Sequence, residues 1–129
     1  MRKAIYPAVF HAEAVGYSVE FPDLLGCVTE GDSLSEALEM AQDALGIYLY
    51  TLRQDNKEFP KSTDPGDIKT KGKDFVTLID WDELAYLRRV DNKAVKKTLT
   101  IPSWLNTLAE ENNVNFSQVL QEALKKQLA

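Results

Sequence analysis

Apolar and polar residues alternate in short runs over the first thirty positions and then shift to helical spacing, and this change of period divides the chain into elements. Ala4-Ile5-Tyr6-Pro7-Ala8-Val9-Phe10 predicts a first strand, which its proline assigns to a sheet edge or a bulge. Tyr17, Val19 and Phe21 alternate with Ser18 and Glu20 in a second strand, joined to the first as a hairpin across a Glu13 to Gly16 turn. Cys27-Val28-Thr29-Glu30 supplies a third strand that ends at Gly31-Asp32. Ser33, with Glu36 three residues on, has the form of a capping box and opens a long helix. Its apolar stripe, Leu34, Leu38, Ala41, Leu45, Tyr48 and Leu52, steps by fours and threes and is expected to lie on the sheet. Gly46 inside that helix costs roughly 1 kcal/mol against alanine, which predicts a close approach of helix to sheet.

From Arg53 to Asp74 the chain turns to Lys, Asp, Gly and Pro, and a mobile loop is expected there. Phe75-Val76-Thr77-Leu78-Ile79 reads as a fourth strand and Asp82 to about Val90 as a short helix. The fold class is α+β: three antiparallel strands, a helix and a fourth strand, with the helix on one sheet face. Asp91-Asn92-Lys93 then forms a polar hinge, so that residues 1–90 make one domain, 91–94 a hinge and 95–129 a second domain.

In the second domain Lys96-Lys97-Thr98-Leu99-Thr100-Ile101-Pro102 alternates as a half-buried strand, with Leu99 and Ile101 on one face and Lys96, Thr98 and Thr100 on the other. Two short amphipathic helices follow, from Trp104 to about Glu111 and from Phe116 to about Leu128. No second strand is available, so the strand's backbone groups need a partner elsewhere, and the economical one is the same strand of another chain. A two-stranded ribbon built that way fits the DNA major groove, where Lys and Thr can meet base edges. Asn115, with Gln118 three residues on, caps the second helix and leaves first-turn amides free for a phosphate.

This order of strand, helix, cap and helix resembles the ribbon-helix-helix family of bacterial repressors. The resemblance implies base-reading positions at Lys96, Thr98 and Thr100 and a phosphate clamp at the amides of Phe116 and Ser117, with Asn115 as cap. Lys97 stands where that family usually has an apolar residue.

Charge sharpens the division. Residues 1–93 carry 11 Lys+Arg and 17 Asp+Glu, a net of −6, and residues 94–129 carry 4 and 3, a net of +1, which together make the −5 of the whole chain. An acidic body with a mildly basic tail does not coat nucleic acid through its overall field, so DNA contact must be local and delivered by a dimer. Glu13, Glu20, Asp23, Glu30 and Asp32 fall in the acidic first half and are candidates to meet a basic protein partner. With a single cysteine, Cys27, and a single histidine, His11, neither an intrachain disulfide nor a Cys/His metal site is expected, and no cofactor is implied. Neither a membrane span nor a secretory signal is read after Met1, so a cytoplasmic location is expected.

Phe21-Pro22-Asp23-Leu24-Leu25-Gly26-Cys27, then Thr29, Gly31-Asp32-Ser33 and Glu36-Ala37, is similar to the HicB family of bacterial antitoxins, which usually has proline where this chain has Leu25. The resemblance implies a partial ribonuclease-H-like fold, binding of a small RNA-cleaving HicA-type toxin, and a DNA-binding tail that represses the chain's own operon. Ribonuclease-H-like enzymes need a carboxylate on the first strand to hold paired metals, and Ala4 to Phe10 contains none. Asp80 with Glu36, Glu39 or Asp43 does not rebuild that cluster, so no catalytic residue is expected. Two rival readings are a metal-dependent nuclease and a solitary transcription factor with a ligand-sensing first domain.

Overall fold

The computed structural model describes residues 2–129. Its elements are β1 (Lys3–Ala12), β2 (Tyr17–Glu20), β3 (Val28–Gly31), α1 (Leu34–Gln54), a 3-10 turn (Pro65–Asp67), β4 (Phe75–Asp82), α2 (Glu83–Val90), α3 (Ser103–Glu111) and α4 (Phe116–Leu128). The chain divides between Lys93 and Ala94 into two compact units.

In the first unit the four strands form one antiparallel sheet in the order β3-β2-β1-β4. β1 is therefore interior, which corrects the edge position expected from Pro7. β2 pairs only with Val9–Ala12, so at Pro7, opposite Leu78, β1 has a strand neighbour on one flank alone, and a residue without an N–H is tolerated there. The hairpin turn closes through Glu13 N–H to the Gly16 carbonyl at 3.1 Å, with Gly16 at φ +69°.

Cross-strand register places Tyr6, Ala8 and Phe10 on one sheet face with Val19, Ile79 and Trp81's row. These residues join Ala37, Ala41, Leu45 and Leu49 in a single buried cluster, so α1 covers that face. Each fully buried Phe or Leu there contributes roughly 1.5–3 kcal/mol. The buried stripe of α1 differs from the expected one: Leu34 and Leu38 are 52% and 44% exposed, and Ala37 and Leu49 take the inward positions. Gly31 is the reason, because a Cβ there would lie 2.4 Å from Ala37 N. The end of β3 thus touches the first turn of α1 and sets the helix's rotation.

Ser33 caps α1 by accepting from Glu36 N–H at 3.1 Å. At the other end Asn56, at φ +53°, turns the chain, with Asn56 N–H to Arg53 O at 3.1 Å and Lys57 N–H to Leu52 O at 2.9 Å. The close approach expected at Gly46 is real, but its first neighbour is α2: a Cβ would lie 2.6 Å from the Tyr86 ring and 3.5 Å from Trp81 Nε1 of the sheet. Glu83, at the start of α2, is fully buried and ion-paired with Arg2 and Arg53.

The segment between α1 and β4, expected to be mobile, is tied down at several points. The Tyr6 hydroxyl donates to the Pro60 carbonyl, Thr63 N–H to Asp23 Oδ2 at 2.9 Å, and Ala12 N–H to Asp74 Oδ1 at 2.9 Å. Phe59 packs edge-on against Trp81 with ring centroids 5.6 Å apart.

In the second unit α3 ends on Asn113, at φ +54°, with Asn113 N–H to Glu110 O and Val114 N–H to Ala109 O, both 3.1 Å. Those two bonds satisfy carbonyls that a helix end otherwise leaves free. Residues 91–102 form neither helix nor ladder, so the expected strand Lys96–Pro102 is not present in the single chain. A strand is defined by its partner, and this unit contains no second one.

Candidate functional site

Each unit presents one surface. In the second, Lys96, Thr98 and Thr100 are exposed, and so are Leu99 and Ile101 between them. Asn115 accepts from Gln118 N–H at 3.0 Å, and Phe116 and Ser117 hold the first two helical positions, ahead of the first intrahelical bond, Val119 N–H to Asn115 O. Their amides have no helical acceptor and carry the partial positive charge of the helix start. No residue of this unit is buried: Trp104, Leu108, Phe116, Val119 and Leu124 all face solvent.

In the first unit the sheet face opposite α1 carries Ile5, Pro7, Val9 and His11 of β1, Ser18 and Glu20 of β2, Val28 and Glu30 of β3, and Val76, Leu78 and Asp80 of β4, read from the register. His11 links three elements, with Nε2 2.9 Å from Glu20 Oε1 and Nδ1 2.8 Å from Asp74 Oδ2. The hydrogen bond to Asp74, and then that to Glu20, raise the imidazole pKa, outweighing its slight burial. Asp74 is lowered in turn by His11 and by the Ala12 amide.

Of the five acids singled out in the sequence, the fold gathers three. Glu20 and Glu30 share this face, and Glu13 joins them by accepting from the Ser18 hydroxyl at 2.8 Å. Asp23 is engaged elsewhere, with Thr63, and Asp32 precedes the Ser33 cap of α1. Asp80 sits 3.5 Å from Gln42 Nε2. Among the described residues no group of three or more His, Cys, Asp or Glu side chains is placed to hold a metal ion. Burial pushes the Cys27 thiol up to about 11. Among the same residues no helix is long and apolar enough to cross a membrane.

Sequence reasoning missed Glu83, since an acid in a helix's first turn looks like an ordinary solvated residue. It also missed the open sheet face, although Ile5, Pro7 and Val9 alternating with Tyr6, Ala8 and Phe10 make β1 apolar on both sides, the mark of a strand covered twice.

Solved structures share this α+β plan of a four-stranded antiparallel sheet and four helices. One chain of a toxin-antitoxin complex from Streptococcus pneumoniae matches with a TM-score of 0.63 at 30% identity, covering 98% of this chain and 99% of that one. The antitoxin HicB of Burkholderia pseudomallei matches with a TM-score of 0.55 over 98% of this chain and 99% of its own, at 18% identity, a likeness of fold alone. Antitoxin HicB 2 of Photorhabdus laumondii is 39% identical over 73 residues, which are 57% of this chain and 48% of that antitoxin. An uncharacterized 14.9 kDa protein from the rep-hol intergenic region of Haemophilus phage HP1 is 35% identical over 104 residues, 78% of this chain and 75% of that protein. The class is thus an antitoxin-like α+β protein. The family model described as the HicB-like antitoxin of bacterial toxin-antitoxin systems matches residues 6–124, and the chain belongs to that family.

Proposed function

We propose that the protein neutralises a small HicA-type, RNA-cleaving toxin by direct binding through its first unit, and that it represses its own operon as a homodimer whose second unit binds operator DNA. The first unit is a partial ribonuclease-H-like scaffold used for binding, without catalysis. The observation that carries the DNA half is the second unit's complete lack of buried residues. Two amphipathic helices and an unpaired strand-patterned segment with every large apolar side chain in water have no core of their own, and a second copy supplies one. Pairing of residues 96–102 between copies sets Lys96, Thr98 and Thr100 on one ribbon face, and the amides of Phe116 and Ser117 reach phosphate beside it.

Co-expression with the short neighbouring reading frame, followed by mass measurement of the purified complex, tests the toxin half; no complex and no relief of toxicity would remove it. A mobility-shift titration on the protein's own promoter tests the DNA half. Thr98→Ala or Thr100→Ala is expected to relax sequence preference by about 1–3 kcal/mol per lost base contact. Lys96→Ala either narrows that preference loss to one base or, if the lysine meets phosphate, weakens all sequences alike and flattens the salt slope.

A further inference from the structure

The sheet is apolar on two sides and the fold covers one. Ile5, Leu78 and Val28, on the face opposite α1, are 54%, 50% and 66% exposed, and Pro7 and Val9 fill the centre between them. None of these five belongs to the cluster that α1 completes. Charge surrounds them: Glu20, Glu30 and Asp80 stand in the same rows of the sheet, with Glu13 alongside through Ser18, and His11 is already engaged by Glu20 and Asp74.

We infer that this uncovered sheet face is where the toxin docks, and that its partner surface is an aliphatic centre ringed by lysine or arginine. The inference rests on the toxin-binding reading above and gives it an address. A second copy of the chain is the poorer occupant, because stacking two such faces sets acid against acid. Nucleic acid is excluded by the same sign of charge. A basic protein satisfies both features at once, burying Ile5, Val28 and Leu78 and neutralising Glu20 and Glu30 at the rim, where such charges act mainly on the rate of encounter. A small RNA-cleaving protein, which must itself attract phosphate, carries that charge.

The test uses the full-length protein and the product of the neighbouring reading frame, made harmless by replacing its histidine, with affinity measured by calorimetry at about 50 mM and about 300 mM salt, where screening differs strongly. Leu78→Lys is expected to weaken binding by about tenfold or more, as loss of a central apolar contact does. The double variant Glu20→Lys, Glu30→Lys is expected to slow association and to reverse the salt dependence. Circular dichroism checks folding, and Ile5→Ser replaces Leu78→Lys as the readout if the lysine variant does not fold. Folded variants that bind within about twofold of the parent overturn the inference while leaving the toxin reading intact. So does amide-exchange protection that falls on the groove lined by Cys27, Ile47 and Thr51 in place of β1 and β4. If the parent itself takes no toxin, the reading fails and the docking face with it.

Discussion

The two units place their apolar residues in opposite ways. In the first, Phe10, Leu45, Leu49 and Ile79 are sealed between a sheet and a 21-residue helix. In the second, Leu99 and Trp104 are 61% and 68% exposed, and two helices of 9 and 13 residues bury nothing. Helices this short are marginal alone in water, however well capped. The difference teaches that the first unit carries the means of its own folding and the second gains its order from association.

The comparison breaks most visibly at Leu99. Leu99→Asp is expected to convert the dimer to a monomer by sedimentation equilibrium, to remove tail helicity and operator binding, and to leave the first unit's melting transition in place. A dimer that survives would show that the tail is not the joint. Leu45→Ala should do the reverse, costing about 2–5 kcal/mol in urea denaturation of the first unit, the range for a buried leucine whose cavity does not collapse, while the dimer persists.

Arg53→Ala comes next. It leaves the buried Glu83 carboxylate to Arg2 alone, and removal of one partner from a buried pair destabilises by roughly 3 kcal/mol, somewhat less here because Arg53 is part-exposed. The effect should appear in the first unit's transition and not in DNA binding.

The smallest effect is that of pH. His11's folded pKa is raised, so its contribution is complete below about pH 6.5 and is lost as pH climbs through the higher folded value. Asp74's is lowered, so its contribution is present above about pH 3.9 and is lost as pH falls through the lower folded value. The first unit's melting temperature should therefore peak between those limits. His11→Ala should flatten the alkaline decline, read by calorimetric scans across pH.

Much of this plan was legible in period and punctuation. Ser33 and Asn115 cap the helices they were expected to cap, and the Glu13 to Gly16 turn closes the first hairpin. What escaped reading depended on contacts between distant positions. Leu34 and Leu38 fit the stripe of α1 as well as Ala37 does, and only the missing Cβ of Gly31 against Ala37 decides the rotation. The segment after α1 looked loose because Phe59, Pro60 and Thr63 are single anchors in polar surroundings, each meaningful only once Trp81, Tyr6 and Asp23 are placed beside it. The five candidate acids were chosen by charge and could not be sorted by face until the strand register was known. The ribbon segment was invisible in one chain for the same reason that it was predicted: its other half belongs to a second molecule under the proposed assembly.

Cys27 gives the molecule a private clock. It is the sole thiol of the chain, it is shut inside the first unit, and burial holds it protonated at neutral pH, so alkylating reagents cannot attack until that unit opens. The pace of carboxymethylation therefore counts openings of the sheet-bearing half alone, with no added dye or engineered tag, and ticks independently of whatever the tail is holding.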